Sequence, residues 1–544
     1  MRAHCAQHAG SESMKADTTH EQRFITDVDS LKFGAQNIDP VLHALDRWRT
    51  QLEEGLRAAR LTCDGLADHH PLACRANAID VALDTGIRAW VQQWADLEGA
   101  RALSDALDDT VLLLVFGKFN AGKSSFCNFL AERLALHGRA VRYFHVDAGR
   151  LVETDGRFAE GTTETTARLQ GVHLGDKLVL LDTPGLHSVT PENAALTQRF
   201  TDSADAILWL TSSTSPGQVQ ELDELGRELH RNKPLLPVIT RSDLYDEDEI
   251  DGEIRKILRN KSVENRAHQE ADVTVRAREK LVAMGVDSAL LKAPVSISSH
   301  MAREAHEIPA ALADAGFERL YAALIDVAEP ALAYKARKRA EVLLHHLEEN
   351  VIGQLQRDVL PLLDELYASA QAARESLEQQ RTQVADAVWR SIVPTLPALL
   401  DAHAATRDVG VICRVLSRSV FDAFTREIGR RLIDYVVVND ASLAHIEVAD
   451  DAGFEEIVIG GTGISRDRHE VVGVDYQRLY MMLEMSIRET LLRLSINAVE
   501  QCDAAINVLL MCSANIKNIL KNFDKKLIEI KVELRKNSNS LERC

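Results

Sequence analysis

Apolar residues follow two different patterns along the chain. From residue 111 to about residue 328, short continuous apolar runs alternate with segments in which apolar residues recur every three or four positions. The runs have the length of buried strands, and the periodic segments are typical of amphipathic helices. This alternation predicts an α/β domain in which helices cover both faces of a mostly parallel sheet. After residue 330 the helical period dominates, which predicts long helices that each bury one apolar stripe. It is interrupted at 445–474, where the residues alternate as in a short hairpin or an irregular loop.

The same pattern predicts where the elements lie. Strands are expected near 111–116, 168–174, 177–182, 205–211, 235–240 and 293–298. Helices are expected at roughly 123–136, 192–202, 217–230, 246–285 and 309–328, and helical spacing also precedes the first strand, at 41–61 and 75–97. We therefore divide the chain into a disordered tail at 1–36, N-terminal helices at 37–105, an α/β domain at 106–329, and an all-α region at 330–544 with an irregular segment at about 440–475.

Composition and charge disfavour a nucleic-acid-binding, a membrane-spanning or a secreted protein. Of the 544 residues, 46% are hydrophobic, which is ample material for several cores, and the net charge is -19. An acidic chain argues against broad nucleic-acid binding. The eight cysteines include no C-x2-C pair, a usage typical of a reduced cytosolic protein. We expect no membrane span and no signal peptide, because no run of about twenty apolar residues occurs.

The first predicted strand ends in a phosphate-binding pattern. Gly117, four residues, and then Gly122-Lys123-Ser124 follow the apolar run. The glycines allow the backbone N–H groups and the start of the next helix to face a phosphate chain. Lys123 is expected to reach the β- and γ-phosphates, and the Ser124 hydroxyl is expected to bind Mg²⁺. A chance glycine turn is the alternative, but the position between a strand and a helix favours nucleotide binding. The other loop positions predicted to touch the nucleotide are Lys118, Asn120, Ala121 and Ser125.

Two later segments are expected to supply the remaining contacts with the phosphates and with Mg²⁺. Asp182-Thr-Pro-Gly185 follows an apolar run, so Asp182 is expected to hold Mg²⁺ through water while the Gly185 N–H senses the γ-phosphate. Upstream of it, the stretch 160–166 contains four threonines. A switch segment needs one threonine that binds Mg²⁺ and the γ-phosphate. We choose Thr163 for this role, with Thr162 as the alternate.

The base is read by a third segment. Thr240-Arg241-Ser-Asp243 follows a predicted strand and matches the pattern [N/T]-K-x-D, with Arg241 in place of the usual lysine. The carboxylate of Asp243 can accept from both N1–H and the exocyclic amine of guanine, a combination that adenine does not offer. An exposed acidic turn is the alternative reading. Further along, the stretch 293–298, from Ala293 to Ser298, lies where a loop closes over the base, and Ser296 is the candidate contact.

These motifs together carry a family resemblance. GKFNAGKSSFCNFL, the threonine-rich stretch, DTPG and TRSD resemble the GTPase domain of bacterial dynamin-like proteins, over roughly residues 110–300. The flanking helices resemble the family in their layout. The resemblance implies an α/β P-loop GTPase domain joined to an elongated all-α neck or stalk, with a neck from 40–100, 331–390 and 478–535 and a tip near 395–475. It points more weakly to the branch linked to enterotoxin release.

The resemblance also implies an activity and its partners. It implies a mechanochemical protein that hydrolyses GTP to GDP and phosphate with Mg²⁺, and that acts at a membrane or a secretion-related assembly. The implied partners are guanine nucleotide, a second copy bound through facing GTPase domains, a peripheral membrane surface and a partner dynamin-like subunit, with no nucleic acid expected. The implied location is the cytoplasm or the periphery of the inner membrane.

The catalytic assignments follow from these motifs. Lys123, Ser124 and Thr163 would stabilise the developing charge together with Mg²⁺. Eukaryotic dynamins place Gln and Ser where this chain has Phe119 and Asn120, so Asn120 is the candidate that orients the attacking water.

The loop itself carries no arginine that is placed to neutralise the transition state. The missing group is therefore expected from a second molecule, and Lys118 is the candidate residue for that contact.

Other readings stay open. A ribosome- or RNA-associated GTPase is disfavoured by the acidic charge and by the absence of interleaved basic and aromatic residues. A binding-only nucleotide switch is suggested by the phenylalanine at position 119. Basic residues at 335–339 and along the last predicted helix could meet anionic lipid, although solvated helix faces carry such charges routinely, and we favour that interpretation.

Overall fold

The computed structural model describes most of the chain. The described residues are 19–31, 37–99, 109–118, 120–147, 150–160, 169–182, 202–215, 218–250, 253–304, 308–449, 452–460 and 469–539. They form two compact units. The first unit contains 1–47, 92–348 and 527–544, and the second contains 48–91 and 349–526.

The first unit is built around a sheet of eight strands, in the order β10-β7-β6-β1-β5-β4-β2-β3. The strands are β1 Val111–Phe116, β2 Val141–Asp147, β3 Arg150–Thr154, β4 Gln170–Leu174, β5 Leu178–Asp182, β6 Ala206–Ser212, β7 Leu235–Thr240 and β10 Val295–Ser296. From β10 to β5 neighbouring strands are parallel, and from β5 to β3 they are antiparallel. The predicted α/β fold with a mostly parallel sheet is therefore confirmed.

Helices cover both faces of this sheet. They are α1 His20–Ser30, α4 Lys123–Leu136, α5 Glu221–Glu224, α6 Gly226–His230, α7 Val263–Ala283, α8 Ser299–Glu304, α9 Pro309–Asp314 and α10 Phe317–His346. Every residue of β1 is buried, because its alternate side chains enter two different cores. Leu113 and Val115 pack with α1, α4 and α10, whereas Leu112 and Leu114 pack with α7 on the other face. This two-sided burial explains the continuous apolar run of the strand.

Several strands and helices of the first unit differ from the prediction. The antiparallel strands β2 and β3 were not expected, because neither sequence is a continuous apolar run. The predicted helix at 246–285 is wrong in its first part, where β8 Asp243–Ile250 and β9 Glu253–Asn260 form an antiparallel hairpin. Only its later part is helical, as α7. The predicted helix at 192–202 lies almost entirely outside the described residues.

The second unit is predominantly helical. Its elements are α2 Asp39–Ala58, α3 Pro71–Gly99, a π-helical turn at Leu347–Ile352, α11 Gly353–Asp358, α12 Leu360–Ile392, α13 Leu396–His403, α14 Val409–Arg431 and α15 Gln477–Asn539. The helices α2, α3 and α15 and the π-helical turn also have residues in the first unit. One side of each long helix is buried, for example at Leu363, Leu366 and Ala370 of α12. The strands β11 Glu455–Gly460 and β12 His469–Asp475 pair as a hairpin. Among the described residues, no helix is both long and apolar enough to cross a membrane.

Candidate nucleotide-binding site

The loop after β1 requires glycine at two positions. Gly117 has φ 152°, and a Cβ atom there would lie 2.2 Å from the carbonyl oxygen of Leu210. Gly122 is in the left-handed conformation, with φ 83°, directly before the first residue of α4. Asn120 also has a positive φ, 63°, which asparagine tolerates better than most residues. The loop therefore turns tightly enough to present its backbone N–H groups and the N-terminus of α4 to a phosphate chain.

Lys123 lies within this loop. Its ammonium donates to the carbonyl oxygens of Gly117 at 2.8 Å and Lys118 at 3.1 Å. Burial lowers the pKa of Lys123, while the charge of Asp182 acts in the opposite direction. The loop thus holds a desolvated cation at the position where the phosphates of a nucleotide would lie.

Ser124 and Asp182 meet at the carboxyl ends of adjacent strands. β1 and β5 are in register, with Val115 opposite Asp182, and the Ser124 hydroxyl donates to Asp182 Oδ2 at 2.7 Å. Gln170 Nε2 donates to the same oxygen at 3.0 Å. Burial raises the pKa of Asp182, and these hydrogen bonds act against that rise. The second oxygen, Oδ1, is buried and has no hydrogen-bond partner among the described residues.

This pair has the chemistry of a magnesium site that is completed by a nucleotide. Hydroxyl and carboxylate oxygens are the hard ligands that Mg²⁺ prefers, and the ion commonly takes one or two protein ligands together with substrate phosphates and waters. The unpartnered Oδ1 of Asp182 fits a water bound to such an ion. No group of three His, Cys, Asp or Glu side chains that could hold a metal occurs in the described part of the chain. Thr162, Thr163, Gly185 and Phe119 lie outside the described residues.

The base-reading segment is tied to the phosphate-binding loop. The Thr240 hydroxyl donates to the carbonyl oxygen of Ala121 at 2.7 Å, and both residues are buried. Arg241 follows with φ 55° and an exposed side chain. Its carbonyl oxygen accepts a hydrogen bond from the Ser213 hydroxyl. The first contact holds the end of β7 against the loop after β1, and the second holds Arg241 against the residue that follows β6.

Asp243 lies next to a serine that the sequence did not single out. Its carboxylate accepts a hydrogen bond from the Ser298 hydroxyl, and Ser298 Oγ also accepts from the Met301 N–H at 3.2 Å. Ser296, the predicted contact, is fully buried in β10, and its own N–H donates to Glu270 at 2.9 Å. A serine directly before a helix is a typical N-cap, and this signal could have identified Ser298. No comparable signal marks Gln170.

Lys118 and Ser125 lie on the two sides of the loop. The side chain of Lys118 is 58% exposed, and its ammonium lies 3.9 Å from the buried carboxylate of Glu221. It also donates to Gln218. Ser125 accepts a hydrogen bond from Arg303 at 3.4 Å.

With this geometry in place, comparison with known proteins assigns the family. Residues 113–241 match the family described as "50S ribosome-binding GTPase". Over 487 residues, which cover 90% of this chain and 93% of the relative, the chain is 44% identical to "Uncharacterized protein ACIAD1444" of Acinetobacter baylyi (strain ATCC 33305 / BD413 / ADP1). The chain belongs to the family of this Acinetobacter protein. Its nucleotide-binding domain is a GTPase domain.

Solved structures show only distant similarity. "LeoA bacterial dynamin GTPase from ETEC" is 13% identical, with 96% of this chain and 98% of that chain covered and a TM-score of 0.28. A structure titled "An oligomerised bacterial dynamin pair provides a mechanism for the long range sensing and tethering of membranes" is 11% identical, with coverages of 98% and 78% and a TM-score of 0.30. Elongation factor SelB from Methanococcus maripaludis, with the GTP analogue GppNHp, is 15% identical, with coverages of 40% and 34% and a TM-score of 0.22.

Proposed function

We propose that this protein binds GTP and hydrolyses it to GDP and phosphate. The observation that carries the proposal is the meeting of Ser124 and Asp182 at 2.7 Å, beside the half-buried side chain of Lys123. A hydroxyl, a carboxylate and a cation at the carboxyl edge of a parallel sheet are the groups that phosphoryl transfer from a nucleotide requires. The GTPase domain that spans these residues supports guanine nucleotide as the ligand.

Each residue has a separate role in the proposal. Lys123 stabilises the charge that develops on the β- and γ-phosphates, and Asn120 orients the attacking water. Ser124 and Asp182 hold Mg²⁺, the latter through water, and the ion supplies further neutralisation of phosphate charge when it is bound. Thr163 is proposed as the switch ligand.

Base selection is assigned to the end of β7 and the segment that follows it. Asp243 accepts from the guanine edge, and Ser298 fixes the orientation of its carboxylate. Thr240 sets the distance between this segment and the phosphate-binding loop. The Arg241 side chain is exposed and can cover one face of the base.

We further propose that the protein is a dynamin-like GTPase that self-associates through its GTPase domains. The resemblance of its sequence motifs supports this, and so does the composition of the second unit, to which chain segments before and after the GTPase domain both contribute. In such a protein, GTP-dependent association acts on a membrane or on a secretion-related assembly. The cytoplasmic face of the inner membrane is the proposed place of action.

Co-sedimentation with vesicles tests this proposal. The full chain is mixed with vesicles of mixed neutral and anionic lipid, with a non-hydrolysable GTP analogue, with GDP, or without nucleotide. We expect sedimentation with the vesicles that depends on the analogue, together with specific GTPase activity that rises with protein concentration. Activity strictly proportional to protein concentration, with no vesicle binding in any nucleotide state, would count against dynamin-like action.

Ribosome association is the second candidate, because the family that matches residues 113–241 is described as binding the 50S ribosome. The net charge of -19 opposes binding to a polyanionic particle. Co-sedimentation with isolated 50S subunits, with the GTP analogue present, distinguishes the two. Binding to the subunits at physiological salt, without binding to vesicles, would favour the ribosomal candidate.

A further inference from the structure

Helix α8 lies between the base-reading segment and the helix that follows the phosphate-binding loop. At its start, Ser298 caps the helix and contacts Asp243. Near its end, Arg303 reaches α4. One short helix thus contacts two parts of the site that bind opposite ends of the nucleotide in the proposed function.

Arg303 makes all its contacts on α4 along one face of that helix. Its guanidinium donates to Glu132 Oε2 at 3.1 Å and to Ser125 Oγ at 3.4 Å, and it lies 5.5 Å from the centre of the Phe129 ring. Positions 125, 129 and 132 are spaced by four and three residues, so they lie on the same side of the helix. A second acidic contact, to Glu160 Oε2, is 3.7 Å long. The arginine is therefore held in one orientation, with 32% of its side chain exposed.

The contact with Ser125 has a chemical consequence. A serine hydroxyl has one hydrogen to donate and two lone pairs that accept. When Arg303 donates to Ser125 Oγ, the hydroxyl hydrogen stays available for another acceptor. Ser125 directly follows the proposed magnesium ligand Ser124, at the N-terminus of α4, where anions are stabilised. A phosphate oxygen of the nucleotide is the acceptor that this position fits.

We propose that Arg303 is a positioning residue for nucleotide binding, which orients the Ser125 hydroxyl toward the phosphate chain. This proposal rests on the proposed GTP-binding function. The forked guanidinium is required, because a single lysine ammonium has no planar fork with which to hold Glu132 and Ser125 at once. Glu132 acts as the anchor that keeps the fork in place.

The test is a double-mutant cycle on nucleotide affinity. Binding of a fluorescent GDP derivative is measured for the parent, Arg303→Ala, Ser125→Ala and the double variant, with Mg²⁺ at fixed salt. Arg157→Ala is the matched control, since Arg157 pairs with the other oxygen of the same Glu132 carboxylate and is more exposed than Arg303. Arg303→Lys keeps the charge without the fork. Circular dichroism and thermal unfolding of the nucleotide-free proteins show which variants are folded.

We expect Arg303→Ala to weaken GDP binding by about fivefold to tenfold, in the range found when an ordinary hydrogen bond is removed. Ser125→Ala should weaken it by a similar factor, and the double variant should bind no more weakly than the weaker single variant, because the two residues act through one contact. Arg303→Lys should lower the affinity for GDP by about the same factor as Arg303→Ala. Arg157→Ala should bind GDP with the affinity of the parent.

Two results would overturn the inference. In one, a folded Arg303→Ala or Arg303→Lys protein binds GDP with the affinity of the parent. In the other, the effects of Arg303→Ala and Ser125→Ala multiply in the double variant, so that the residues act independently. Either result leaves GTP binding by the parent intact, whereas failure of the parent to bind any guanine nucleotide would remove the proposed function as well.

Discussion

The central sheet buries charged groups at two edges, one formed by the carboxyl ends of its parallel strands and one by their amino ends. The bonding partners of these groups differ between the two edges. At the carboxyl edge lie Lys123 and Asp182, and at the amino edge lies Asp205, directly before β6. Asp182 and Asp205 are both fully buried. They differ in how their oxygens are partnered.

At the carboxyl edge, in the part of the chain that the structure describes, the charged groups form hydrogen bonds with uncharged groups only, and one carboxylate oxygen makes none. Asp182 Oδ2 accepts from Ser124 and Gln170, both uncharged groups, whereas Oδ1 has no hydrogen-bond partner within the described ranges. The Lys123 ammonium donates to backbone carbonyls. Such groups remain able to bind an ion or a phosphate without first breaking an ion pair.

At the amino edge the charges are matched to one another. Asp205 Oδ1 accepts from Lys338 of α10 at 2.7 Å, and Oδ2 accepts from the Leu112 N–H at 2.9 Å. On the same helix, Glu341 accepts from Arg337 and from Arg535 of α15. The basic run at 335–339, for which the sequence left lipid contact and solvated faces as readings, thus contributes to buried ion pairs within the first unit. Charge here stabilises the fold, while charge at the opposite edge is available for chemistry.

The first prediction concerns the ion pair at the amino edge. Lys338→Ala should lower the free energy of unfolding by about 3–5 kcal/mol, because it removes the cation that donates to the buried carboxylate of Asp205 and leaves only Lys335, whose ammonium is 3.9 Å away. Urea unfolding of the nucleotide-free protein measures the effect. The double variant Asp205→Asn with Lys338→Met should recover much of the loss, since the buried charge is then absent. A Lys338→Ala protein as stable as the parent would show that the two edges do not differ in this way.

The second prediction concerns the cation at the carboxyl edge. Lys123→Ala should lower the GTP turnover number by about 100- to 1000-fold, the usual cost of removing one group that stabilises transition-state charge. A steady-state phosphate-release assay measures it. The unfolding free energy should change far less than in Lys338→Ala, because Lys123 has backbone carbonyls rather than a carboxylate as hydrogen-bond partners. Unchanged turnover would contradict the assigned role.

The third prediction uses pH. Burial lowers the pKa of Lys233 to about 8, with Glu228 and Asp202 acting against it and Arg231 and Lys338 with it. Between pH 8 and about 10.4, the ordinary lysine pKa, the unfolded chain binds more protons at this residue than the folded one. Stability contributed by Lys233 therefore rises with pH across this window, by up to about 3 kcal/mol. Urea unfolding at pH 8 and 10 should show this rise in the parent relative to Lys233→Met, and equal pH dependence would contradict it.

The fourth prediction is a gain in the free energy of unfolding, whereas the first is a loss. Asp182→Asn should raise the free energy of unfolding by about 0.5–2 kcal/mol while it abolishes Mg²⁺-dependent turnover, since functional sites often hold destabilising groups. The physical reason is burial, which raises the pKa of Asp182 and so makes its ionised form costly in the folded protein. Urea unfolding at neutral pH without nucleotide measures the change. A loss of stability as large as that in Lys338→Ala would remove the distinction between the edges.

The sequence predicted the carboxyl edge far better than the rest of the unit. β1 and α4 have the predicted boundaries, and the structure brings Ser124 and Asp182 together. These elements were predictable because a strand buried on both faces is a continuous apolar run, and because the loop chemistry requires glycine at fixed positions.

The remainder depended on tertiary context. The hairpin β8–β9 contains several Glu, Arg and Leu residues, which favour helix in isolation. The Asp-Gly dipeptide at 251–252 of the sequence is a hairpin signal that we did not weigh. The pairing of Lys338 with Asp205 joins residues 133 positions apart, and no local pattern encodes it. The contact of Ser298, rather than Ser296, with Asp243 was not predicted, because the two residues are likewise distant in the sequence.

The central claim is that the carboxyl edge binds guanine nucleotide, and calorimetric titration of the parent protein tests it most directly. GTP analogue, GDP and ATP are titrated in the presence of Mg²⁺, and Asp243→Asn serves as the matched variant because it replaces the carboxylate that accepts from guanine and leaves the phosphate-binding loop unchanged. We expect saturable binding of the guanine nucleotides, with ATP and the Asp243→Asn protein each weaker by at least about tenfold, or 1.4 kcal/mol. Equal affinity of the parent for GTP and ATP, or no binding of either, would contradict the claim.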